Sequence, residues 1–406
     1  MNRYSDIELS VVVTIYNAVD YLEKCIKSIL QQKSNKIEII LIDDGSTDGS
    51  SNICDRYSEV DQRVRVIHQK NAGLVNARIA GVRQVAGSYI TFIDSDDWIE
   101  ENAYDSILGL IEEKEPDLIC TDIYGDTGLK TNIIGGSIRP GLYEETDLLE
   151  KVIPNLIYSG TFFLYGIEPF MVSKIFRTKV LYELYEDFPR DIVNGEDAAA
   201  TYSYAVQCKS IFISDEIYYH YVKRPGSMSY SNIKYSEAFK SNKILYEYLM
   251  RVFQNSVKSK NLLRQLDIYM TYMTIGLCPD RIDRSYKKIL AEYGGIPEKS
   301  KVVIYGAGNY GLKLFEYVKT IDKITCVGWL DRNASFFADL GYPVYEPNRI
   351  ADMDYDYVLI SIINEGIIAA IRKDLLKFGV PESKILTYKW KNIPVREIYL
   401  PVSEKK

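Results

Sequence analysis

Histidine is almost missing from this chain: 2 in 406 residues, so at most two imidazoles are available for metal or acid–base work. The 6 cysteines are scattered, with no Cys-x-x-Cys spacing. A disulfide framework or a zinc site is not expected, and reduced thiols fit best. No apolar run approaches the ~18 residues of a membrane span. The opening residues are polar, and the valines at 11–13 are too few for the apolar core of a secretory signal. There is no excess of positive charge: 49 basic residues against 56 acidic ones leave a net charge of −7. Nothing global therefore points to nucleic acid. Internal repeats and low-complexity tracts are also missing. These absences together predict a cytoplasmic protein.

What is present suits a chain of two to three domains, with 47% hydrophobic and 26% charged residues. Tyrosine is abundant at 34 residues. Its ring packs, stacks and hydrogen-bonds, which suits a cleft for cyclic ligands, although drift in base composition explains the number equally well. The first hundred residues alternate strand and helix. Residues 9–15 and 37–42 read as strands, the second nearly continuously apolar as when both faces are buried. Residues 21–30 carry Leu22, Cys25, Ile26, Ile29 and Leu30 at helical spacing. A short strand at 64–67, a helix at 75–85 and a strand at 89–93 follow. This rhythm predicts an α/β fold whose mostly parallel sheet binds ligands at the carboxyl ends of its strands. Residues 125–141 read as a loop or short hairpin. From 236 to 290 the pattern is helical, with Lys258, Lys260 and Arg264 on a basic face that fits either an anionic membrane or water.

Polar clusters fall at the predicted strand ends. Residues 37–42 run into Asp43-Asp44-Gly45-Ser46-Thr47-Asp48. A carboxylate there can accept hydrogen bonds from a base or ribose, or the segment is a plain capped turn. Residues 89–93 run into Asp94-Ser95-Asp96-Asp97-Trp98. Asp94 and Asp96 can converge on one hard divalent cation, Mn2+ or Mg2+, which would offset charge on a phosphate leaving group. A solvated acidic turn is the plain alternative. Glu196-Asp197 follows Asn194-Gly195 at a helix start. Asp197 can serve as general base toward a hydroxyl, with Glu196 orienting or binding it, or both are ordinary first-turn acids. His220 lies in the aromatic run Tyr218-Tyr219-His220-Tyr221, as a third metal ligand or a packed imidazole. Arg224 and Ser227 can grip a diphosphate or form a surface turn.

In order, the segments 10–17, 42–48, 71–78 (ending in Arg78) and 92–98 resemble glycosyltransferase family 2, the inverting GT-A type. Ser173-Lys174, Gly195-Glu196-Asp197 and Arg224 with Ser227 continue the likeness more faintly, over about the first 230 residues in all. Thr14 stands where the family usually has Pro, and Ile79 where it has Asn. The resemblance implies transfer of a sugar from a UDP-sugar to a saccharide or lipid-linked acceptor, as in surface polysaccharide synthesis at the inner membrane face. It assigns Tyr16, Asp43 and Asp44 to the uridine, Arg78 to the donor pocket, Asp94 and Asp96 to metal and ribose, and Asp197 to the base. Sugar and acceptor choice would depend on the loops at 125–141 and 158–190.

After residue 300 the pattern resets. Gly306-Ala307-Gly308-Asn309-Tyr310-Gly311 lies between a strand and a helix, and Asp331 follows at the end of the next strand. This is the context of a dinucleotide fingerprint. No tyrosine here is followed by lysine four residues on, so NAD(P) is not expected, and a binding or assembly module, self-association included, fits as well as a glycine turn needed for packing. A nucleotide-sugar oxidoreductase or epimerase is the alternative function. The expected division is a GT-A domain at 1–233, a helical connector at 234–298 and a small Rossmann-like domain at 299–406.

Overall fold

The computed structural model describes residues 7–126, 131–160, 164–222, 235–256, 259–277, 296–319, 324–362, 364–387 and 395–399. Two compact units emerge: 1–159, 165–224 and 243–265 form the first, and 160–164, 225–242 and 266–406 the second. The helical segment expected as a connector is thus shared between them. Its two helices are Tyr235–Gln254 and Ser259–Leu277, and Arg264 is exposed, while the side chains of Lys258 and Lys260 lie outside the described residues. Among the described residues no helix is long and apolar enough to cross a membrane.

The first unit is built on β1 (Leu9–Ile15), β2 (Ile37–Asp43), β3 (Val64–His68), β4 (Tyr89–Asp94), β5 (Trp98–Ile99), β6 (Leu118–Asp126), β7 (Thr131–Ile134), β8 (Gly141–Glu144), β9 (Lys174–Arg177) and β10 (Ser210–Val222). Its helices include α1 (Val19–Leu30), α2 (Ser50–Val60), α3 (Leu74–Val82), α4 (Ala103–Lys114), the single turn α5 (Glu145–Asp147), α6 (Thr178–Glu186) and α7 (Glu196–Ala205). β1 and β2 are buried along their whole length. Their branched residues pack on both faces, at about 1.5–3 kcal/mol for each large side chain removed from water. Val11 and Val13 pack with Leu22, Cys25, Ile26 and Ile29 of α1, whereas Val12 faces Gly81 of α3.

The strand order is β3-β2-β1-β4-β9-β6-β10-β5, with β7 beside β6 and β8 beside β10. β3, β2, β1 and β4 are parallel. β9 enters antiparallel between β4 and β6, and β5, β7 and β8 are also antiparallel to their neighbours. The sheet is therefore mixed where a mostly parallel one was expected. The β6–β7 connection is too short for a crossover, so only antiparallel pairing is open to it. This is the sheet of a GT-A fold. The carboxyl ends of β1, β2 and β4 share one edge.

In the second unit β11 (Ser300–Tyr305), β12 (Ile324–Leu330), β13 (Tyr357–Ile360) and β14 (Ile385–Thr387) are all parallel, in the order β12-β11-β13-β14. Val302 and Ile304 pack with Leu314 and Phe315 of the helix Asn309–Lys319. Val303 and Tyr305 pack with Ile371 and Leu375 of the helix Glu365–Lys377. Both faces of this small sheet are covered.

Candidate active site

The loops after β1 and β2 are clamped together. Asn17, at φ 49°, donates its N–H to Ser46 Oγ at 3.1 Å and accepts from Thr47 N at 2.8 Å. Val19 N donates to Asp48 at 2.9 Å, and Ala18 N to Ser50 Oγ at 3.0 Å. Asp43 is buried and accepts from Ser46 N, Ser51 Oγ and His68 Nδ1 at 3.0, 2.6 and 2.8 Å. Burial pushes this carboxyl up, but the hydrogen bonds outweigh it and hold it below the ordinary range. Asp44 accepts from Gln69 Nε2, Ala72 N and Gly73 N at 2.7, 2.8 and 2.8 Å. Both aspartates thus shape their loops, and Asp44 keeps one lone-pair position. Tyr16 stands beside them with its ring 54% exposed.

His68 was not among the sequence candidates. Its Nδ1 lies 2.8 Å from Asp43 and its Nε2 3.0 Å from Asp55. Two carboxylate partners require protons on both nitrogens, and the bonds to Asp43 and Asp55 raise its pKa accordingly. The only available signal was its place at the end of β3, opposite Asp43.

The centre of the site is Arg78. It lies on α3, 2% exposed, with Nη1 bonded to Asp197 Oδ1 and Nη2 3.5 Å from Asp94 Oδ1. Glu196 Oε1 is 4.0 Å from Nη1. Desolvation works against the charged form, but Asp197, Asp94 and Glu196 more than reverse this and keep the guanidinium cationic. Asp197 also accepts Met171 N at 3.3 Å. Burial, with Asp197 beside it, pushes Glu196 up to about 7 against the pull of Arg78. Burial likewise brings Asp94 to about 6, again opposed by Arg78. Asp94 Oδ1 is buried without a hydrogen-bond partner. Gly195, at φ 85°, lets the chain turn sharply into α7 and presents Glu196 and Asp197 on its first turn.

The Asp94–Asp97 turn is held by residues that spacing did not reveal. Tyr219 Oη donates to Asp97 at 2.6 Å and accepts Asp94 N–H at 3.2 Å. Val222 N donates to Asp97 at 2.8 Å. Asp96 lies half-buried on the same turn. His220 is not brought to this pair. Its Nε2 is 2.8 Å from Glu100, and its ring stacks on Trp98 at 3.5 Å. Among the described residues no three His, Cys, Asp or Glu side chains gather in a metal-holding group. The pairing of His220 with Trp98 and Tyr124 instead buries the imidazole against those two rings. Arg224 and Ser227 lie outside the described residues.

In the second unit, Gly306 has φ 109° and Asp331 accepts Ala307 N at 2.7 Å and Asn333 N at 2.8 Å. A Cβ at Gly311 would collide with the Gly306 carbonyl, whereas one at Gly308 would meet open space.

A GT-A sheet that carries a carboxylate pair at the end of β4 and a second pair at the start of α7 defines a glycosyltransferase. The family model for glycosyl transferase family 2 matches residues 10–172, and one for the C2185-like N-terminal domain matches 298–386. Glycosyltransferase GlyG of Streptococcus pneumoniae serotype 4 is 31% identical over 225 residues, 54% of this chain and 72% of GlyG. Glycosyltransferase GlyA of the same organism is 37% identical over 151 residues, 36% of this chain, but the match spans only 22% of GlyA. A crystal structure of S. aureus TarS 1-349 with UDP-GlcNAc has a TM-score of 0.48 at 23% identity, covering 71% of this chain and 86% of that one. The chain belongs to glycosyl transferase family 2. The oxidoreductase or epimerase alternative draws no support from these relatives.

Proposed function

We propose that the chain moves a hexosyl or N-acetylhexosaminyl group from a UDP-sugar to a saccharide or lipid-linked saccharide, with inversion, during surface polysaccharide synthesis at the cytoplasmic membrane face. The observation that carries this reading is the placement of Asp94 and Asp197 on the two terminal nitrogens of one buried guanidinium. Asp197 takes the acceptor hydroxyl proton as that oxygen bonds to the anomeric carbon. The bond from that carbon to the diphosphate oxygen breaks on the far side, and UDP leaves. One base suffices for this single displacement. Arg78 orients Asp197, and Glu196 beside it receives the acceptor.

Asp94 and Asp96 fit a Mn2+ or Mg2+ ion. Asp94 Oδ1 has no hydrogen bond, only the approach of Arg78 Nη2 at 3.5 Å, and burial raises its pKa against that cation, which leaves room for a further positive charge. A bound ion would offset the charge of the departing diphosphate. His220, engaged with Glu100, is left out of this set. The exposed Tyr16 ring can stack on the uracil, and the remaining Asp44 lone pair can accept its N–H. For the C-terminal unit we infer a binding or assembly role, with Asp331 fastening its glycine loop through Ala307 N and Asn333 N.

Asp197→Asn should reduce transfer by about 10²–10⁴-fold with donor affinity nearly intact, as read by UDP release and calorimetry. Transfer at the normal rate would remove Asp197 from the base role. EDTA should abolish activity and Mn2+ restore it; full activity in chelator would sink the metal assignment.

A further inference from the structure

A second charged cluster lies beside the Arg78 group and shares Asp197 with it as a neighbour. Lys174 opens β9 opposite Cys120 of β6 and is 1% exposed. Among the described residues its ammonium makes one hydrogen bond, to Ser173 Oγ at 2.8 Å, leaving two donors open. Asp122 and Glu168, both half-buried, are its electrostatic neighbours, as is Asp197. Asp122 accepts Gly136 N at 3.2 Å. The Glu168 carboxyl has no hydrogen-bond partner among the described residues, and burial pushes it up to about 7 despite Lys174. A cluster of purely structural use would close on itself, because unpaired desolvated charges are costly. This one gathers a cation and two carboxyls without an ion pair among them.

The surrounding chain ties the cluster to the catalytic helix and to two loops. Tyr202 Oη and Thr201 Oγ1 of α7 donate to the carbonyls of Ile167 and Pro169 at 3.1 and 2.7 Å, gripping the residues on either side of Glu168. Ser137 N and Ile138 N donate to the carbonyls of Tyr165 and Gly166 at 2.9 and 3.3 Å. A Cβ at Gly135 would collide with the Asp122 carboxylate, so this loop lies directly against the cluster. The two loops nominated for acceptor choice therefore meet at Lys174, beside the helix that presents Asp197.

We propose that Asp122, Glu168 and Lys174 form the acceptor subsite, the carboxyls accepting from and the ammonium donating to hydroxyl groups of the acceptor saccharide. This rests on the saccharide-acceptor reading above. UDP release from UDP-sugars, with p-nitrophenyl glucoside, galactoside and N-acetylglucosaminide as acceptors, separates donor KM from acceptor KM. Glu168→Gln and Lys174→Met should each raise the acceptor KM about tenfold, the loss expected for a hydrogen bond to a charged group, with donor KM within about twofold. Equal rises in both constants, or an unchanged acceptor KM in both variants, overturns the subsite. No UDP release by the wild-type protein from any UDP-sugar would instead fault the donor chemistry. Glu168→Gln preserves shape at a half-buried position, so it decides alone if Lys174→Met lowers the melting temperature.

Discussion

The strands β12 and β4 both run into an aspartate, and the protein uses the two differently. At the end of β12, Asp331 gives one oxygen to Ala307 N and the other to Asn333 N, fastening a glycine loop. At the end of β4, Asp94 keeps a buried oxygen without a hydrogen bond and shares a guanidinium with Asp197 from a distant helix. The first carboxylate binds one backbone N–H group with each oxygen. The second buries Oδ1 beside a guanidinium and lies close to a second acid. A shared buried guanidinium and a neighbouring acid, rather than position after a strand, separate the two carboxylates.

The sharpest way to break this contrast is to remove the cations on the two sides. Arg78→Met would leave Asp94, Glu196 and Asp197 without their common partner. Transfer should fall at least about 100-fold, and urea unfolding should show a loss of about 3–5 kcal/mol, as when one member of a buried pair is deleted. Arg332→Met removes a pair with Asp374 and an interaction with Tyr305 from an arginine side chain that is 54% exposed, and should cost at most about 1 kcal/mol. Equal losses from the two variants would end the distinction.

A smaller effect is expected in the glycine loop. Gly311→Ala drives a methyl into the Gly306 carbonyl and should destabilise the second unit by about 1–3 kcal/mol, while Gly308→Ala has open space and should change nothing. Neither should alter kcat for transfer by more than about twofold. The smallest effect concerns pH. Glu196 titrates at about 7 when folded against 4.5 as the ordinary value, so the folded state holds the proton more tightly. The stability this contributes is complete below the unfolded value and is lost as pH rises through the folded one. Glu196→Gln should therefore flatten the decline of melting temperature over that window by about 2–5 °C. An unchanged slope would show that Glu196 does not titrate there.

Much of the first sheet was legible in sequence because its signals are local. The apolar runs of β1, β2 and β4 need no partner to be recognised as strands, and Asp44, Asp94 and Asp197 announce themselves at strand and helix ends. β9 gave little sign, since four residues reading KIFR carry no period that demands insertion between β4 and β6. The surroundings of His220 were hidden for a related reason. Its aromatic strand was readable, but the pairing that stacks it on Trp98 and gives its Nε2 to Glu100 is made across 120 positions.

The chain's own pattern determined the α/β class, the order of its motifs and the carboxylates at the reactive edge, because hydrophobic period and turn chemistry are properties of neighbours. Only the tertiary structure decided that Arg78 joins Asp94 to Asp197, that Asp43 is claimed by Ser46, Ser51 and His68, and that Lys174 lies among carboxyls it does not neutralise. Arg78 and Asp197 stand 119 residues apart. Burial and pairing at that range are set by the packing of whole elements, which no local stretch of sequence encodes.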